Sequence, residues 1–316
     1  MPPQPKPRFD SVPARAQGRR RRTAHPSCNL ASIMDRTELN HPVVVEGPSF
    51  LGFPSRCVLA PSDQPGIHLR LPDGRVVPLG AMTLSVNRLF RFLTLRHGRH
   101  VLRIPEHLLG LVFALGLDRV TIAPGEFRLP YDGRAKLYWD AIKDSRRHAG
   151  ALDWFTPAAP LTIAASGGRA IELIPAAPGE RRFAFEIEVG YPALGTKVLR
   201  GIVGEESDLE RLFTARPYWN TQLRRRVAQW ARRFGWPQGD IGVWPQSDGA
   251  AGPSAQSKAL VLEELCWHRL LDMLGMFAAA MPPGGRIAGT VVTRRVGHAA
   301  DVALLHAMKR APLVPV

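Results

Sequence analysis

The sequence lacks the features that mark three common classes of protein. No apolar run reaches the length of about eighteen residues that a membrane-spanning helix needs. Cys28, Cys57 and Cys266 are scattered without C-x-x-C spacing, so they predict ordinary thiols rather than a disulfide framework or a cysteine-built zinc site. The arginine-rich first 25 residues have neither an apolar core nor a small-residue cleavage site, which argues against a secretory signal peptide. We therefore predict a soluble protein of the cytoplasm.

Acidic residues are also few, since 27 stand against 42 lysines and arginines and give a formal net charge of +15. The first 36 residues hold eight of the basic residues and two of the acidic ones, and the remaining charge is spread along the chain. Such a charge suits a nucleic acid, an anionic nucleotide sugar or an anionic membrane surface, so it does not decide among these partners. Because aromatic and basic residues are not interleaved, we predict that the protein binds no nucleic acid.

The composition of the chain changes near residue 40. Residues 1–40 are rich in proline and arginine and poor in apolar side chains, which predicts a disordered basic leader. A start at Met34 instead of Met1 is the alternative interpretation of this segment. The remaining length suits two ordinary cores, so we predict a first domain over residues 41–150 and a second over residues 151–316, with the boundary at His148 to Gly150.

Each half begins with short apolar runs bounded by glycine and proline and continues with helical spacing. Strands are predicted at residues 43–46, 56–59, 67–71, 76–79, 87–95, 100–103, 120–123, 161–164, 170–174, 183–189, 197–203 and 287–293. Helices are predicted at residues 106–116, 134–143, 207–214, 259–280 and 299–308, with a polar loop at 236–257. This order predicts an α+β layered architecture in which helices of the two halves meet.

Side chains that suit a metal ion lie on two of the predicted helices. His268 and Asp272 are four residues apart, so both project from one helix face. A catalytic zinc site needs three nitrogen or oxygen ligands and an open position for water, and His107 is the natural third ligand. Glu106 is then placed as the general base, and His298 is the candidate cation that stabilises an oxyanion. The constellation predicts zinc-dependent hydrolysis of an amide.

Each of these residues also has an explanation without chemistry. An H-x-x-x-D spacing arises on helices by chance, and a first-turn acid such as Glu106 is favoured by the helix dipole. His298 can simply begin the last helix, and Asp132 and Asp140 can be turn or surface acids. The residues alone leave both interpretations open.

Four motifs, the first of them in two parts, resemble in chain order those of the UDP-3-O-acyl-N-acetylglucosamine deacetylases of lipid A synthesis. Residues 104–108 (I-P-E-H-L) and 114–118 (A-L-G-L-D) are similar to T-V-E-H-L and G-L-G-I-D, and residues 130–135 (P-Y-D-G-R-A) are similar to P-x-x-D-G-S-A. Residues 264–275 (E-L-C-W-H-R-L-L-D-M-L-G) look like E-F-x-x-H-K-x-L-D-x-I-G, and residues 297–299 (G-H-A) match S-G-H-x. The resemblance covers roughly residues 43–309.

The resemblance implies a role for each candidate residue: Glu106 as the general base, His298 as the general acid and electrostatic stabiliser, and three zinc ligands, His107, His268 and Asp272. It implies a two-domain duplicated α+β sandwich with helices packed between two mostly antiparallel sheets. The implied reaction removes acetate from an acylated UDP-sugar. We further expect a monomer that makes peripheral contact with the inner membrane surface.

The surroundings that hold the substrate depart from the family's pattern. The family's early glycine-rich loop with its histidine is replaced by residues 49–54 (S-F-L-G-F-P), and Tyr191 stands where the family has a second histidine. Pro217 stands where the family has a threonine on the oxyanion side. Because the loss of one oxyanion donor lowers turnover by about 10² to 10³, we expect weak activity on the family's substrate.

Two further departures lie on the helix that carries the ligands. Arg269 replaces the usual lysine after the ligand histidine, and we take it as the candidate substrate-binding residue. Met276 replaces an acid that orients the late histidine in the family, so we expect the pKa of His298 to fall relative to the family's pattern. The sequence therefore leaves two functions, a zinc-dependent deacetylase and a catalytically impaired paralogue that binds a metal or a nucleotide-sugar-like ligand.

Overall fold

The structure is a computed structural model and describes residues 35–87, 92–192, 194–203, 206–219, 242–243 and 255–316. Its helices are α1 (Glu106–Ala114), α2 (Lys136–Ile142), α3 (Glu206–Thr214), α4 (Ala255–Ala280) and α5 (His298–Arg310). The strands of the first half are β1 (Asp35–Leu39), β2 (Val43–Pro48), β3 (Pro54–Pro61), β4 (Ile67–Arg70), β5 (Val76–Pro78), β6 (Thr83–Val86), β7 (Leu93–His97), β8 (His100–Arg103), β9 (Val120–Pro124) and β10 (Arg146–Ala151). Those of the second half are β11 (Asp153–Pro157), β12 (Leu161–Ala165), β13 (Arg169–Pro175), β14 (Phe183–Tyr191), β15 (Gly195–Ile202), β16 (Tyr218–Trp219), β17 (Gly242–Val243), β18 (Gly285–Ile287), β19 (Gly289–Arg294) and β20 (Leu313–Pro315).

Two five-stranded sheets, one from each half, share one topology. The strand order is β2-β3-β9-β4-β5 in the first sheet and β12-β13-β19-β14-β15 in the second. In both, two antiparallel hairpins flank a central strand that comes last along the chain and runs parallel to only one of its neighbours. The predicted α+β class with mostly antiparallel sheets is confirmed, and the strand order repeats as the resemblance implies.

Most predicted elements are present with shifts of a few residues at their ends. The largest difference is the strand predicted at residues 287–293, which is divided into β18 and β19. Gly289 lies at this break with a φ of 129°, and a Cβ there would lie 2.3 Å from the Ile174 carbonyl oxygen. The backbone therefore turns away from one sheet and enters another. Residues 88–91 of a predicted strand and most of the loop predicted at 236–257 lie outside the described residues.

The end of the predicted leader is wrong for residues 35–39, because they form β1, which pairs antiparallel with β10. Thr37 is buried there, its N–H donates to the Gly116 carbonyl at 2.9 Å, and its hydroxyl donates to the Leu115 carbonyl at 2.8 Å. These partners are distant in the chain, so local composition gave no sign of them. Residues 1–34 lie outside the described part, and their disorder stays a prediction.

Residues 148–150 belong to β10, so the predicted boundary falls inside a strand, and the division into two domains stays a prediction.

The helices of the two halves meet through an unusually close approach of backbone to backbone. A Cβ on Gly110 of α1 would lie 2.3 Å from the Leu271 carbonyl oxygen of α4, and a Cβ on Gly275 would lie 2.3 Å from the Glu106 carbonyl oxygen. No real Cβ contact is that short, so both positions require glycine. The two glycines thereby bring the first turn of α1 against the middle of α4.

The helices lie between the two five-stranded sheets. α2 covers the first sheet, where Leu137 packs against Gly47 of β2. α4 covers the second sheet, where the Trp267 and Phe185 rings meet edge to face with centroids 5.8 Å apart. Although α4 is 26 residues long, no helix among the described residues is apolar enough over a sufficient length to cross a bilayer.

The cysteines that the structure describes are ordinary thiols, as predicted. Cys57 on β3 and Cys266 on α4 are both buried and free. Burial raises the pKa of each thiol to about 12, so both stay protonated at neutral pH. Cys28 lies outside the described residues.

Candidate active site

The first turn of α1 carries two of the predicted site residues into the interior. Pro105 precedes the helix, where its fixed φ of −77° suits a helix start and its missing N–H is not needed. Glu106 and His107 follow, and both are buried, with only 2% and 4% of their surface exposed. The close contact of Glu106 with Gly275 turns this part of α1 toward α4.

α4 presents His268 and Asp272 to the same point. The Asp272 Oδ1 atom lies 3.6 Å from His107 Nε2 and 3.8 Å from His268 Nε2. The rings of the two histidines meet edge to face with centroids 4.9 Å apart. One ligand atom from each of the three residues lies within 4.8 Å of the others. The structure therefore brings together the three residues that sequence reasoning placed around one metal ion.

The donor set fits a divalent cation. The Asp272 Oδ1 atom is a buried acceptor without a hydrogen-bond partner among the described residues, which is costly for a carboxylate unless a cation faces it. His268 Nδ1 lies 3.2 Å from the Ala215 carbonyl oxygen, so it carries the proton and leaves the Nε2 lone pair toward Asp272. Burial lowers the pKa of His107 to about 3, with a further contribution from His268, so this ring is neutral and able to ligate. Two imidazoles and one carboxylate are a ligand set that zinc accepts.

The wider sequence agrees with this geometry. Residues 36–310 match the profile of the UDP-3-O-acyl N-acetylglycosamine deacetylase (LpxC) family. The chain belongs to this family. Among individual curated proteins, none matches the sequence. The match spans both sheets and α1 to α5, so the deacetylase fold is present from β1 to the end of the last helix.

Glu106, which precedes the candidate ligand His107, is a weaker acid than an ordinary glutamate. Its Oε1 atom accepts a hydrogen bond from the Leu93 N–H at 3.2 Å, and its Oε2 atom has no hydrogen-bond partner among the described residues. Burial raises the pKa of Glu106 to about 7, and the Asp272 carboxylate adds to this rise while His298 opposes it. A carboxylate with a pKa near neutrality can accept a proton and release it again within one reaction cycle.

His298 begins α5 and faces Glu106 from the other side. Its Nε2 atom lies 3.9 Å from Glu106 Oε1 and 3.7 Å from Asp272 Oδ2. Burial alone would lower the pKa of this ring, but the carboxylates of Asp272, Asp301 and Glu106 raise it to about 9. His298 is therefore protonated at neutral pH, whereas Glu106 is near its midpoint. The site thus holds an acid and a base whose pKa values have been moved by their surroundings.

His298 has an acidic neighbour although Met276 replaces the acid of the family's pattern, and the expected fall in its pKa relative to that pattern stays a prediction. Met276 is apolar and buried, but Asp301, three residues after His298 on the same helix, places Oδ2 at 3.2 Å from His298 Nδ1. Sequence reasoning missed Asp301, although its position three residues after the histidine in an N-terminal turn was a readable signal. Arg269 donates to both oxygens of Asp301, through Nη1 at 2.6 Å and through Nη2. Its role in binding substrate stays a prediction.

Residues 215 and 216, which follow α3, contact His268 and Glu264 of α4. Ala215 supplies the carbonyl that faces His268 Nδ1, and the next residue, Arg216, is tied to Glu264 of α4. The Arg216 N–H and its Nε and Nη2 donate to the Glu264 carboxylate at 3.0, 2.7 and 3.0 Å. Glu264 is the first residue of the motif over residues 264–275, so the deacetylase motif includes the carboxylate that anchors this segment. Pro217 follows directly, without a hydroxyl.

Aromatic residues pack against His107, and sequence reasoning missed them too. The Tyr131 ring stacks on His107 with centroids 5.5 Å apart and an interplanar angle of 24°. Phe50, from the segment that replaces the family's glycine-rich loop, meets Tyr131 edge to face at 5.6 Å. The neighbouring Asp132 accepts the N–H groups of Arg134 and Leu137 at 2.8 and 3.2 Å, so it is a turn acid, as one interpretation of the sequence had it.

A cavity of about 470 Å³ leads from the surface to this cluster. His268, Asp272 and His298 line its inner end. Its walls come from α4, from the β14 segment that contains Tyr191, and from two arginines, Arg169 and Arg295. A small polar molecule can therefore reach two of the candidate metal ligands, His268 and Asp272, together with His298.

Proposed function

We propose that the protein is a zinc-dependent deacetylase that hydrolyses the N-acetyl group of UDP-3-O-acyl-N-acetylglucosamine, or of a related acylated sugar, in lipid A biosynthesis. One observation carries this proposal: ligand atoms of His107, His268 and Asp272, from two different helices, lie within 4.8 Å of one another, and His268 and Asp272 line a cavity. Membership of the deacetylase family supports the reaction class.

His107, His268 and Asp272 would hold the zinc ion. When bound, such an ion supplies Lewis acidity that makes water a stronger acid and a carbonyl more electrophilic. Glu106 then accepts the proton of the attacking water, for which its pKa of about 7 is suited. The water oxygen forms a bond to the acetyl carbon, and the carbonyl oxygen gains negative charge.

His298 serves the second half of the reaction. Because it is protonated at neutral pH, its Nε2–H can stabilise the negative carbonyl oxygen as that charge develops. The carbon–nitrogen bond then breaks, and the amine nitrogen takes up a proton, which His298 or the newly protonated Glu106 can supply. The products are acetate and a sugar with a free amino group.

The cavity supports an anionic substrate. Arg169 and Arg295 line its walls, although Arg295 Nε also pairs with Glu188 at 3.1 Å. Cationic side chains at the mouth raise the local concentration of an anionic nucleotide sugar. The cytoplasmic location, the monomeric state, the peripheral contact with the inner membrane and the absence of nucleic-acid binding stay predictions.

The presence of Pro217 where the family has a threonine favours one alternative. This alternative is a paralogue that binds a metal or a nucleotide-sugar-like ligand without efficient turnover. Pro217 has no hydroxyl to donate, and it follows the residue that faces His268. A missing donor of this kind lowers turnover by about 10² to 10³, which leaves a rate that is still measurable above the uncatalysed reaction.

The test measures acetate release from the acylated UDP-sugar together with the zinc content of the same preparation. The wild type should bind zinc and release acetate, and Glu106→Gln should keep zinc while its rate falls by about 10² to 10⁴. Glu210→Gln, at an exposed position of α3, is the matched control and should change neither quantity. Zinc-loaded wild type that releases no acetate from this or a related N-acetylated sugar would leave the ligand-binding paralogue as the function.

A further inference from the structure

Asp301 is a fully buried carboxylate in the first turn of α5, with 0% of its surface exposed. Among the described residues it forms no hydrogen bond or ion pair with a predicted zinc ligand, so the chemistry described above does not use it directly. It lies 3.2 Å from His298 and accepts hydrogen bonds from Arg269 on both of its oxygens. A charge buried this completely is destabilising unless each oxygen has a partner, so its position is maintained by both contacts.

The contact with Asp301 fixes the orientation of the His298 ring and the proton on its Nδ1. The guanidinium of Arg269 keeps the pKa of Asp301 well below its usual range although burial raises it, so Asp301 is an ionised acceptor. An acceptor beside Nδ1 requires that Nδ1 carry a proton and donate it. The ring is then fixed with Nε2 directed at Glu106 and Asp272, where Nε2 lies 3.9 and 3.7 Å from their oxygens.

We propose that Asp301 is a positioning residue, which orients His298 through Nδ1 and is itself held in place by Arg269 of α4. The inference rests on the proposed function, because orienting His298 matters only if Nε2 acts on a substrate. In family members with an acid at the position of Met276, the ligand helix supplies the carboxylate; here the carboxylate comes from α5. Arg269 is thereby engaged inside the protein, between the ligand helix and α5.

A double-mutant cycle tests whether Asp301 acts through His298. Asp301→Asn keeps the size of the side chain but removes its negative charge, and its one amide oxygen can replace only one of the two carboxylate oxygens that accept from Arg269 and from Nδ1. The charge that favours a proton on Nδ1 is then lost, so the His298 ring is held less firmly with Nε2 toward Glu106 and Asp272. We expect kcat to fall about 10- to 100-fold with KM nearly unchanged and zinc content unchanged. In the His298→Gln background the same change should lower kcat no further.

Asp140→Asn, an exposed acid on α2, is the matched control and should leave kcat unchanged. Equal losses from Asp301→Asn in both backgrounds would overturn the proposal, because Asp301 would then act independently of His298 as a purely structural ion-pair partner.

A second measurement needs no Asp301 variant and no activity. In protein labelled with ¹⁵N-histidine, a hydrogen-bonded Nδ1–H signal protected from exchange should be present and should disappear in His298→Gln. If the wild type shows no such signal for His298, the proposal is wrong. Loss of acetate release in the wild type with the Nδ1–H signal intact would contradict the proposed function and leave the Asp301 contact standing.

Discussion

The two halves of the protein share one sheet topology but use the helices around their central strands differently. In each half a helix precedes the central strand, and these helices, α1 and α4, carry Glu106 and the three candidate ligands. α1 supplies the candidate base and one candidate ligand, whereas α4 supplies two candidate ligands. Neither half contains all three candidate ligands, so the contact between α1 and α4 brings them together.

The helices after the two central strands differ more sharply. Before α2, Asp132 accepts the N–H of Leu137 in the first turn, so its carboxylate stabilises a helix start. At the start of α5, Gly297 supplies no side-chain cap, and His298 points into the active site with Asp301 behind it. The same place in the topology thus holds a helix-stabilising acid in one half and a candidate catalytic residue in the other. A repeated fold does not require a repeated role.

The largest effect is expected where the two halves touch. Gly275→Ala should lower the free energy of unfolding by about 3 kcal/mol or more, because its Cβ would lie 2.3 Å from the Glu106 carbonyl oxygen and must push α1 away. Urea unfolding measures this change, and zinc content should fall with it. Gly80→Ala, where nothing lies within 4 Å of the added Cβ, is the control and should behave as wild type. A stable Gly275→Ala protein with full zinc content would break the claim that this contact creates the site.

The start of α5 should respond in rate rather than in stability. His298→Gln should lower kcat by about 10² or more, because it removes the cation that stabilises the oxyanion and donates the proton. Steady-state acetate release gives kcat and KM. His306→Gln, at an exposed position on the same helix, should leave both unchanged. Equal rates for the two variants would mean that His298 has no part in the chemistry.

The segment before α2 should respond in stability rather than in rate. Asp132→Ala should lower the free energy of unfolding by about 1 kcal/mol, since two N–H groups lose their acceptor, and kcat should not change. Asp140→Ala, which removes an exposed acid from the same helix, should have a smaller effect on stability. A large loss of kcat in Asp132→Ala at unchanged stability would contradict the claim that Asp132 serves stability whereas His298 serves the reaction.

The smallest effect concerns the two buried thiols, one in each half. In a Cys28→Ser variant, Cys57 and Cys266 should react slowly with a thiol reagent at pH 8, because burial raises both pKa values to about 12. Their reactivity should increase only as the pH rises toward that value or when the protein unfolds. Rapid reaction of one thiol in the native protein would show that its half opens more readily than the other.

Sequence reasoning predicted the helices and the strands of both five-stranded sheets because their apolar spacing is local, but it missed other strands, among them β6, β10, β11 and β20. The helix start at Pro105 also follows from local chemistry. It failed at β1, whose pairing with β10 depends on residues more than a hundred positions away. Alternation within five residues cannot reveal a partner at that distance.

The site could be predicted as a set of residues but not as an arrangement. The candidate ligands and the candidate base were named, yet Gly110, Tyr131 and Asp301 were not assigned a role. Gly110 is required by an approach of two helices, and Tyr131 contacts His107 only after the chain has folded. Asp301 becomes significant only because Met276 is apolar and Arg269 reaches it from α4. Such roles depend on packing between elements. The apolar spacing within one helix or strand does not show which other element it will contact.

The zinc content of the gently purified protein, measured by mass analysis, tests the central claim most directly. The account predicts one zinc ion per wild-type chain and a large loss of zinc in both His107→Ala and His268→Ala, because the ligands come from two helices that meet at one cation. His306→Ala should keep the full content, since this histidine is exposed and far along α5 from His298. Equal zinc binding by the wild type and both ligand variants would contradict the account.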